Sequence, residues 1–307
     1  MKTKSAREEK IMKTRTEHEI LEMLLSFSKE DERIRITVIN GSRANPNATR
    51  DIFQDYDIAS FVTDVAPFRN ETYVLPRFGE SLVVEQPLIG PWPPDDADGS
   101  YHNYNIQLLD GNRIDLSFCP LSSLDEKLRD SLTQVLLDKD NMVSSLPDSN
   151  ESSYYLSKPN RDLFQGCCIG FFFTLGSHIP KTIWRKQLSL LKFYIEACLR
   201  DSLIMMLGWE IGIRTGWEKS IGSRGKYLQK YMTPKTWEDY RNTFAGNDYS
   251  EIWESLFLSL EIFTRAAKFV AEQLDLCFRE DQALKVKAHL EHVRALASDA
   301  KRIYDDK

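Results

Sequence analysis

The sequence has no excess of basic residues. Its 40 lysines and arginines are outnumbered by 46 aspartates and glutamates, which gives a net charge of −6 at neutral pH. A protein that neutralises many phosphates usually carries a basic patch, so this balance argues against a nucleic-acid partner. A mildly acidic protein would attract a cationic substrate instead.

Cysteine and histidine are also scarce. The five cysteines are odd in number and lie mostly in apolar runs, which predicts reduced core residues rather than disulfides. None of the five histidines pairs with a cysteine at zinc-binding spacing, so we expect no zinc site. The cysteines are Cys119, Cys167, Cys168, Cys198 and Cys277.

Long hydrophobic runs are missing as well. The first residues, MKTKSAREEKIMK, are charged and lack the apolar core of a signal peptide. The longest apolar stretch, Cys167 to Leu175, is too short to cross a bilayer. These absences predict a cytoplasmic protein with no membrane partner, and 307 residues are enough for two domains.

The most informative stretch runs from Val38 to Phe61. A predicted strand ends at Gly41-Ser42, a spacer of twelve residues follows, and a second strand opens at Asp55-Tyr56-Asp57. Because side chains alternate along a strand, Asp55 and Asp57 should share a face and could bind a divalent cation. Free N–H groups of the Gly-Ser turn suit a phosphate oxygen. Alternatively, Asp55 and Asp57 could be two solvated acids of a loop that bind no metal.

These features resemble the signature of the nucleotidyltransferase superfamily that includes DNA polymerase beta. The longer strings DERIRITVINGSRAN, FQDYDI and IWESLF resemble, more narrowly, the bacterial aminoglycoside 6-adenylyltransferases, or streptomycin adenylyltransferases. The resemblance covers the chain from about Thr16 to about Leu274. It implies an enzyme that transfers AMP from ATP to a hydroxyl of an aminoglycoside, which is a cationic acceptor. The hydroxyl implied is the one at the 6-position of streptomycin, and the modification would confer antibiotic resistance.

The same resemblance assigns roles within the motif. Asp55 and Asp57 would hold Mg²⁺ against the triphosphate, which fits the hard oxygen ligands that this ion prefers. Gly41 and Ser42 would bind the phosphates of ATP. Arg43 would neutralise phosphate charge.

A third candidate acid, Asp115, lies on a predicted hairpin formed by Tyr101–Leu109 and Arg113–Phe118. Apolar Ile114 and Leu116 should face away from it. Asp115 could be a surface residue of a one-sided sheet, but a half-buried carboxylate needs a partner or a metal. In nucleotidyltransferases a third acid on a neighbouring strand completes the metal site. The resemblance therefore implies that Asp115 ligates a second ion or takes the proton of the attacking hydroxyl.

The overall pattern predicts an α+β protein. A capping box at Thr16 should start a helix that ends near Ser28, and a polar stretch at Pro147–Ser153 marks a domain boundary. We predict an N-terminal nucleotidyltransferase domain with a short mixed β-sheet, residues 1–146, and a C-terminal helical bundle, residues 154–307, that binds substrate and nucleotide. Strands are expected at 33–40, 55–62, 81–86, 101–109 and 113–118, and long helices at 187–206, 251–274 and 283–302.

Basic residues of the second domain are candidates for holding the triphosphate. By resemblance, Lys226, in the glycine-containing segment after Thr215-Gly216, best matches the phosphate contact of the family. Lys186 is a second candidate. The alternative for both is a solvated basic helix end.

One segment departs from the pattern of the family. Adenylyltransferases of this kind carry acids beside a double cysteine, whereas here Phe164–Phe172 contains Cys167-Cys168 and no carboxylate. Amino or guanidino groups of an acceptor call for carboxylates in the pocket. Three acids of a proline-rich loop could supply them, namely Asp95, Asp96 and Asp98.

Two other functions remain open from the sequence. The enzyme could transfer a nucleotide to another small hydroxylated molecule, a protein or an RNA end. The chain could also be a catalytically silent nucleotide-binding protein, although Asp55, Asp57 and Asp115 count against that interpretation.

Overall fold

The structure is a computed structural model that describes residues 13–87 and 99–304. The chain divides into two compact units, Met1–Ser153 and Tyr154–Lys307. The first unit holds a β-sheet and the second is helical, which confirms the α+β class.

The described residues of the first unit form a six-stranded sheet with the order β3-β4-β5-β2-β1-β6. Strands β2 and β5 are parallel, whereas the other neighbouring pairs are antiparallel, so the sheet is mixed. The strands are β1 (Ile34–Asn40), β2 (Tyr56–Val62), β3 (Ser81–Glu85), β4 (His102–Leu108), β5 (Arg113–Pro120) and β6 (Thr133–Asp138). The helical segments of this unit are α1 (Glu17–Glu30), α2 (Gly41–Ala44), α3 (Glu71–Val74) and α4 (Leu124–Lys127).

One face of the sheet is covered by α1. The capping box predicted at Thr16 is present, because its hydroxyl accepts from the N–H of Glu19 while the Glu19 carboxylate accepts from the N–H of Thr16. Ile20, Leu24 and Phe27 of this helix are buried in the larger core of the unit. The helix therefore protects the sheet face opposite to the polar motif.

The other face carries a smaller core. Ile36, Val38, Phe61 and Cys119 of the sheet cluster with Leu124 of α4. This cluster lies toward one end of β2 and β5. A cavity on this face lies beside Asp57 and Asp115 and reaches along the strands to Cys119 of the cluster.

The sheet also differs from prediction. Strand β6 was not expected, because its residues show no clean alternation, and it forms an edge of the sheet beside β1. Strand β2 starts at Tyr56, so Asp55 lies in the loop just before it. The position of Asp55 is therefore set by loop contacts rather than by strand pleating alone.

The second unit packs its helices around an aromatic core. Phe171 and Phe263 stack with ring centroids 3.8 Å apart. The helix expected at 187–206 begins at Leu188, passes through a π-helical segment at Tyr194–Leu199 and ends at Arg214. A second π-helical segment is Thr174–His178. The helices are α5 (Arg161–Phe173), α6 (Ile179–Trp184), α7 (Leu188–Phe193), α8 (Arg200–Arg214), α9 (Leu228–Tyr231), α10 (Pro234–Arg241), α11 (Tyr249–Leu274) and α12 (Glu280–Ala295).

One helical run of the described residues, Arg161–Trp184, is longer than the apolar stretch seen in the sequence. The run has 24 residues, and an 18-residue window of it has a mean hydropathy of 1.2, enough by length and composition to cross a membrane, yet 50% of that window is buried. Burial of this kind is typical of a core helix. Its length alone is weak evidence for a membrane span.

The cysteines are unpaired, as predicted. Cys119, Cys167 and Cys168 are buried, whereas Cys277 is exposed, so the expectation of a core position is wrong for Cys277. Burial raises the pKa of both Cys167 and Cys168 to about 12, which makes them poor nucleophiles at neutral pH.

Candidate active site

Three carboxylates meet at one end of the central strands. Asp57 and Asp115 lie side by side because β2 and β5 are parallel and pair these two residues in register. Asp55 joins them from the loop before β2. One carboxylate oxygen of each residue lies within 4.8 Å of the others, and all three residues are half-buried.

This spacing suits a hard divalent cation. Carboxylate oxygens bind Mg²⁺ or Ca²⁺ at about 2.0–2.6 Å, so two ligand oxygens on opposite sides of an ion lie roughly 4–5 Å apart. Within residues 13–87 and 99–304, these three acids are the group with metal-binding geometry. The structure thus brings together the three acids that the sequence singled out.

Gly41 lies directly against Asp57. Its φ is +67°, and a Cβ atom at this position would stand 2.4 Å from Asp57 Oδ2. The N–H of Gly41 donates to the carbonyl of Leu132 at 3.1 Å. Glycine is therefore needed here for conformation and for close approach to the carboxylate.

Arg43 supports the loop that carries Asp55. Its guanidinium donates to the carbonyl of Asp55 at 2.9 Å and to that of Gln54 at 2.7 Å. It also pairs with Glu17 at 3.1 Å and stacks 3.6 Å above the ring of Tyr56. These contacts position Asp55, and the predicted phosphate contact of Arg43 would compete with them.

Ser42 lies in the same short turn, α2. Its carbonyl accepts from the side chain of Gln54 at 3.2 Å, which ties the turn to the loop before Asp55. The turn and the acids are thus joined by both Arg43 and Gln54. The phosphate contact of Ser42 stays a prediction.

Arg113 is a charged member of the site that the sequence reasoning missed. Its Nε lies 2.8 Å from Asp115 Oδ1 and its Nη2 lies 2.7 Å from Asp115 Oδ2, a two-pronged bond. The bond to Asp115, together with the charges of Asp55 and Asp57, raises the pKa of the Arg113 guanidinium. The signal was available, because residues two apart on a strand share a face.

The two predicted lysines lie in the second unit, and both are exposed. Lys226 has its Nζ 5.1 Å from the ring of Tyr227. Lys186 has a left-handed backbone, with φ of 54°, just after α6. Their contact with a triphosphate stays a prediction.

The acids sought for the acceptor are absent from residues Phe164–Phe172 of α5, and the acid of this helix is Asp162 in its first turn. Phe164, Cys167 and Phe171 of this helix are buried in the core of the second unit. Gln165 donates its side-chain amide to the carbonyl of Cys277. The alternative acids Asp95, Asp96 and Asp98 lie outside the described residues.

The protein is a nucleotidyltransferase, as comparison with known proteins establishes. A sequence model of the family described as streptomycin adenylyltransferase matches residues 14–293, and the chain belongs to this family.

Curated relatives agree over most of the chain. The aminoglycoside 6-adenylyltransferase of Bacillus subtilis (strain 168) is 33% identical over 263 residues, which cover 85% of this chain and 92% of that protein. The enzymes of the same name from Campylobacter jejuni and Staphylococcus aureus are each 34% identical, over 85% and 81% of this chain and 90% and 88% of their own lengths. The crystal structure of an aminoglycoside 6-adenyltransferase from Bacillus subtilis is 28% identical, covers 92% of this chain and 100% of its own, and has a TM-score of 0.46.

Proposed function

We propose that this protein transfers AMP from ATP to a hydroxyl of an aminoglycoside, with the 6-hydroxyl of streptomycin as the first candidate, and thereby confers resistance. One observation carries the proposal: carboxylate oxygens of Asp55, Asp57 and Asp115, one from each residue, lie within 4.8 Å of one another, on the sheet of a nucleotidyltransferase. The names of the curated relatives supply the acceptor class.

The proposed metal ligands are Asp55 and Asp57, whose carboxylates are hard oxygen donors suited to Mg²⁺. A bound Mg²⁺ would supply positive charge to the phosphate oxygens of ATP. The protein itself fixes the two acids, since Arg43 holds the carbonyl of Asp55 and Gly41 packs against Asp57.

Asp115 is the proposed proton acceptor. The acceptor oxygen would form a bond to the α-phosphorus while the bond between that phosphorus and the bridging oxygen breaks, and pyrophosphate would leave. A carboxylate is too weak a base to ionise a hydroxyl beforehand, so its proton would pass to Asp115 as the new bond forms. The two bonds from Arg113 hold both oxygens of Asp115 in a fixed orientation for this step.

The test is to incubate the protein with Mg-ATP and a panel of aminoglycosides, and to search by mass spectrometry for the mass of one added AMP. Asp57→Asn is the matched control, because the amide keeps the shape of the side chain and removes the charge. A product with streptomycin, absent with the variant, is the expected result. Failure with every aminoglycoside would refute this class of acceptor and leave open another small molecule. The lack of carboxylates between Phe164 and Phe172 of α5 would then favour that alternative.

A further inference from the structure

A cavity of about 430 Å³ lies on the same sheet face as Asp57 and Asp115. Its floor contains Ala59 and Ser117, which pair with each other two residues beyond the two acids. Because both side chains are small, the strands leave room directly beside the carboxylates. A molecule in this cavity would therefore contact the proposed reacting groups.

The wall of the cavity adds negative charge. Glu126 of α4 and Asp130 of the following turn line it, together with Lys127. Among the described residues of the lining, four carry carboxylates and one carries an ammonium group. Asp57 and Asp115 belong to the proposed metal and proton-transfer groups, so Glu126 and Asp130 are the acids of this concave site that would attract a cationic ligand.

One residue of the lining, Asn103, has an unsatisfied acceptor. The side-chain oxygen of Asn103 is buried and has no hydrogen-bond partner among the described residues. Buried polar atoms in proteins normally have a partner, so this oxygen calls for a donor from elsewhere. Guanidinium, ammonium and hydroxyl groups are all such donors.

We infer that this cavity is the acceptor site, and that Glu126 and Asp130 bind guanidinium or ammonium groups of the acceptor so that one of its hydroxyls reaches Asp115. The inference rests on the proposed function and deepens it. It explains how the chain can bind a cationic acceptor although α5 has no carboxylate between Gln165 and Phe172. Asn103 would accept from a hydroxyl or a nitrogen of the same molecule after its side-chain oxygen, which is buried, turns toward the cavity.

Two substitutions remove charge with little risk to the fold. Glu126 is exposed, so Glu126→Gln disturbs no packing. Asp130 Oδ1 accepts from the N–H of Leu132 at 2.9 Å, and Asp130→Asn keeps an oxygen that can make this bond. Asp125→Asn is the matched control, because Asp125 is an exposed acid of the same helix that does not line the cavity.

The experiment is steady-state AMP transfer from Mg-ATP to streptomycin by the full-length protein and these variants, with the melting temperature of each variant measured alongside. Loss of a charge-assisted hydrogen bond typically weakens binding tenfold or more. We therefore expect Glu126→Gln and Asp130→Asn each to lower kcat/KM for streptomycin about tenfold through a higher KM. The KM for ATP should change less than twofold, and Asp125→Asn should match the wild type.

The two possible failures are separable. The inference would be overturned, while the proposed function stands, if both cavity variants kept the wild-type KM for streptomycin. It would also be overturned if Asp125→Asn lost as much kcat/KM for streptomycin as they do. Absence of transfer to any acceptor by the wild-type protein would refute the proposed function itself.

Discussion

Replacement of Gly41 by alanine tests the geometry of the site most directly. A Cβ at this position would lie 2.4 Å from Asp57 Oδ2, and ordinary contact starts at 3.4 Å, so the carboxylate has to move by about 1 Å. A misplacement of this size in a catalytic constellation can cost roughly 10²-fold in rate. The left-handed backbone at φ of +67° adds a stability cost of about 1–2 kcal/mol for a residue with a Cβ.

The chain offers a matched control for the stability cost of the left-handed backbone. Gly111, in the hairpin of the same unit, has φ of +92°, and a Cβ there would meet no atom within 4 Å. Gly111→Ala should therefore lower stability to a similar degree without touching the site. We expect Gly41→Ala to lower AMP transfer about a hundredfold, whereas Gly111→Ala should keep transfer within a few-fold at a temperature where both variants are folded.

The assay combines steady-state AMP transfer with urea denaturation of both variants. If Gly41→Ala turns over as fast as wild type, the contact between Gly41 and Asp57 is not required for catalysis. If both variants lose activity in proportion to their stability, the loss comes from unfolding, and the argument from displacement of Asp57 fails.

Three further predictions concern single carboxylates. Asp57→Asn should abolish transfer without unfolding the protein, since the amide keeps its shape but loses the charge for a metal; near-normal turnover at saturating Mg²⁺ would contradict this role. Asp115→Asn should lower kcat by a larger factor than it raises the KM for ATP, and a change in the KM for ATP alone would move Asp115 to nucleotide binding. Burial alone would raise the pKa of Asp31, but hydrogen bonds from Arg33 and Tyr73 outweigh it and lower this pKa to about 2. A carboxyl whose pKa is lower in the folded state stabilises the protein at every pH above its unfolded-state pKa. Asp31→Asn should therefore lower the free energy of unfolding by up to about 2 kcal/mol at pH 7, and by progressively less between pH 4 and pH 2. Urea denaturation at several pH values would measure this.

Local signals in the sequence predicted much of this fold. The capping box at Thr16 and the hairpin around Gly111 are read from neighbouring residues, and both are present. The alternation around Asp115 likewise predicted its face correctly, since Ile114 and Leu116 are buried while Asp115 is half-buried. Features of this kind depend on short-range periodicity and turn chemistry, which a single sequence contains.

The missing parts depend on contacts between distant residues. Asp57 meets Asp115 because β2 and β5 are parallel neighbours, a pairing that no local pattern specifies. Edge strand β6 lacks the alternation of a half-buried strand, so only its pairing with β1 reveals it as a strand. The acceptor cavity depends on small side chains of two strands and on the wall of α4, and small residues give no periodic signal of their own.

The charge balance of the site favours one role for Asp115 over the other. Three carboxylates within 4.8 Å repel one another, and Arg113 neutralises one of them through a two-pronged bond to Asp115. The remaining charge of −2, three acids less one guanidinium, equals the charge that one divalent cation would balance. Because Arg113 already engages both oxygens of Asp115, Asp55 and Asp57 are better suited to hold the ion. One divalent cation would balance this charge and leave none for a second ion, so proton acceptance rather than ligation of a second ion is the role we propose for Asp115.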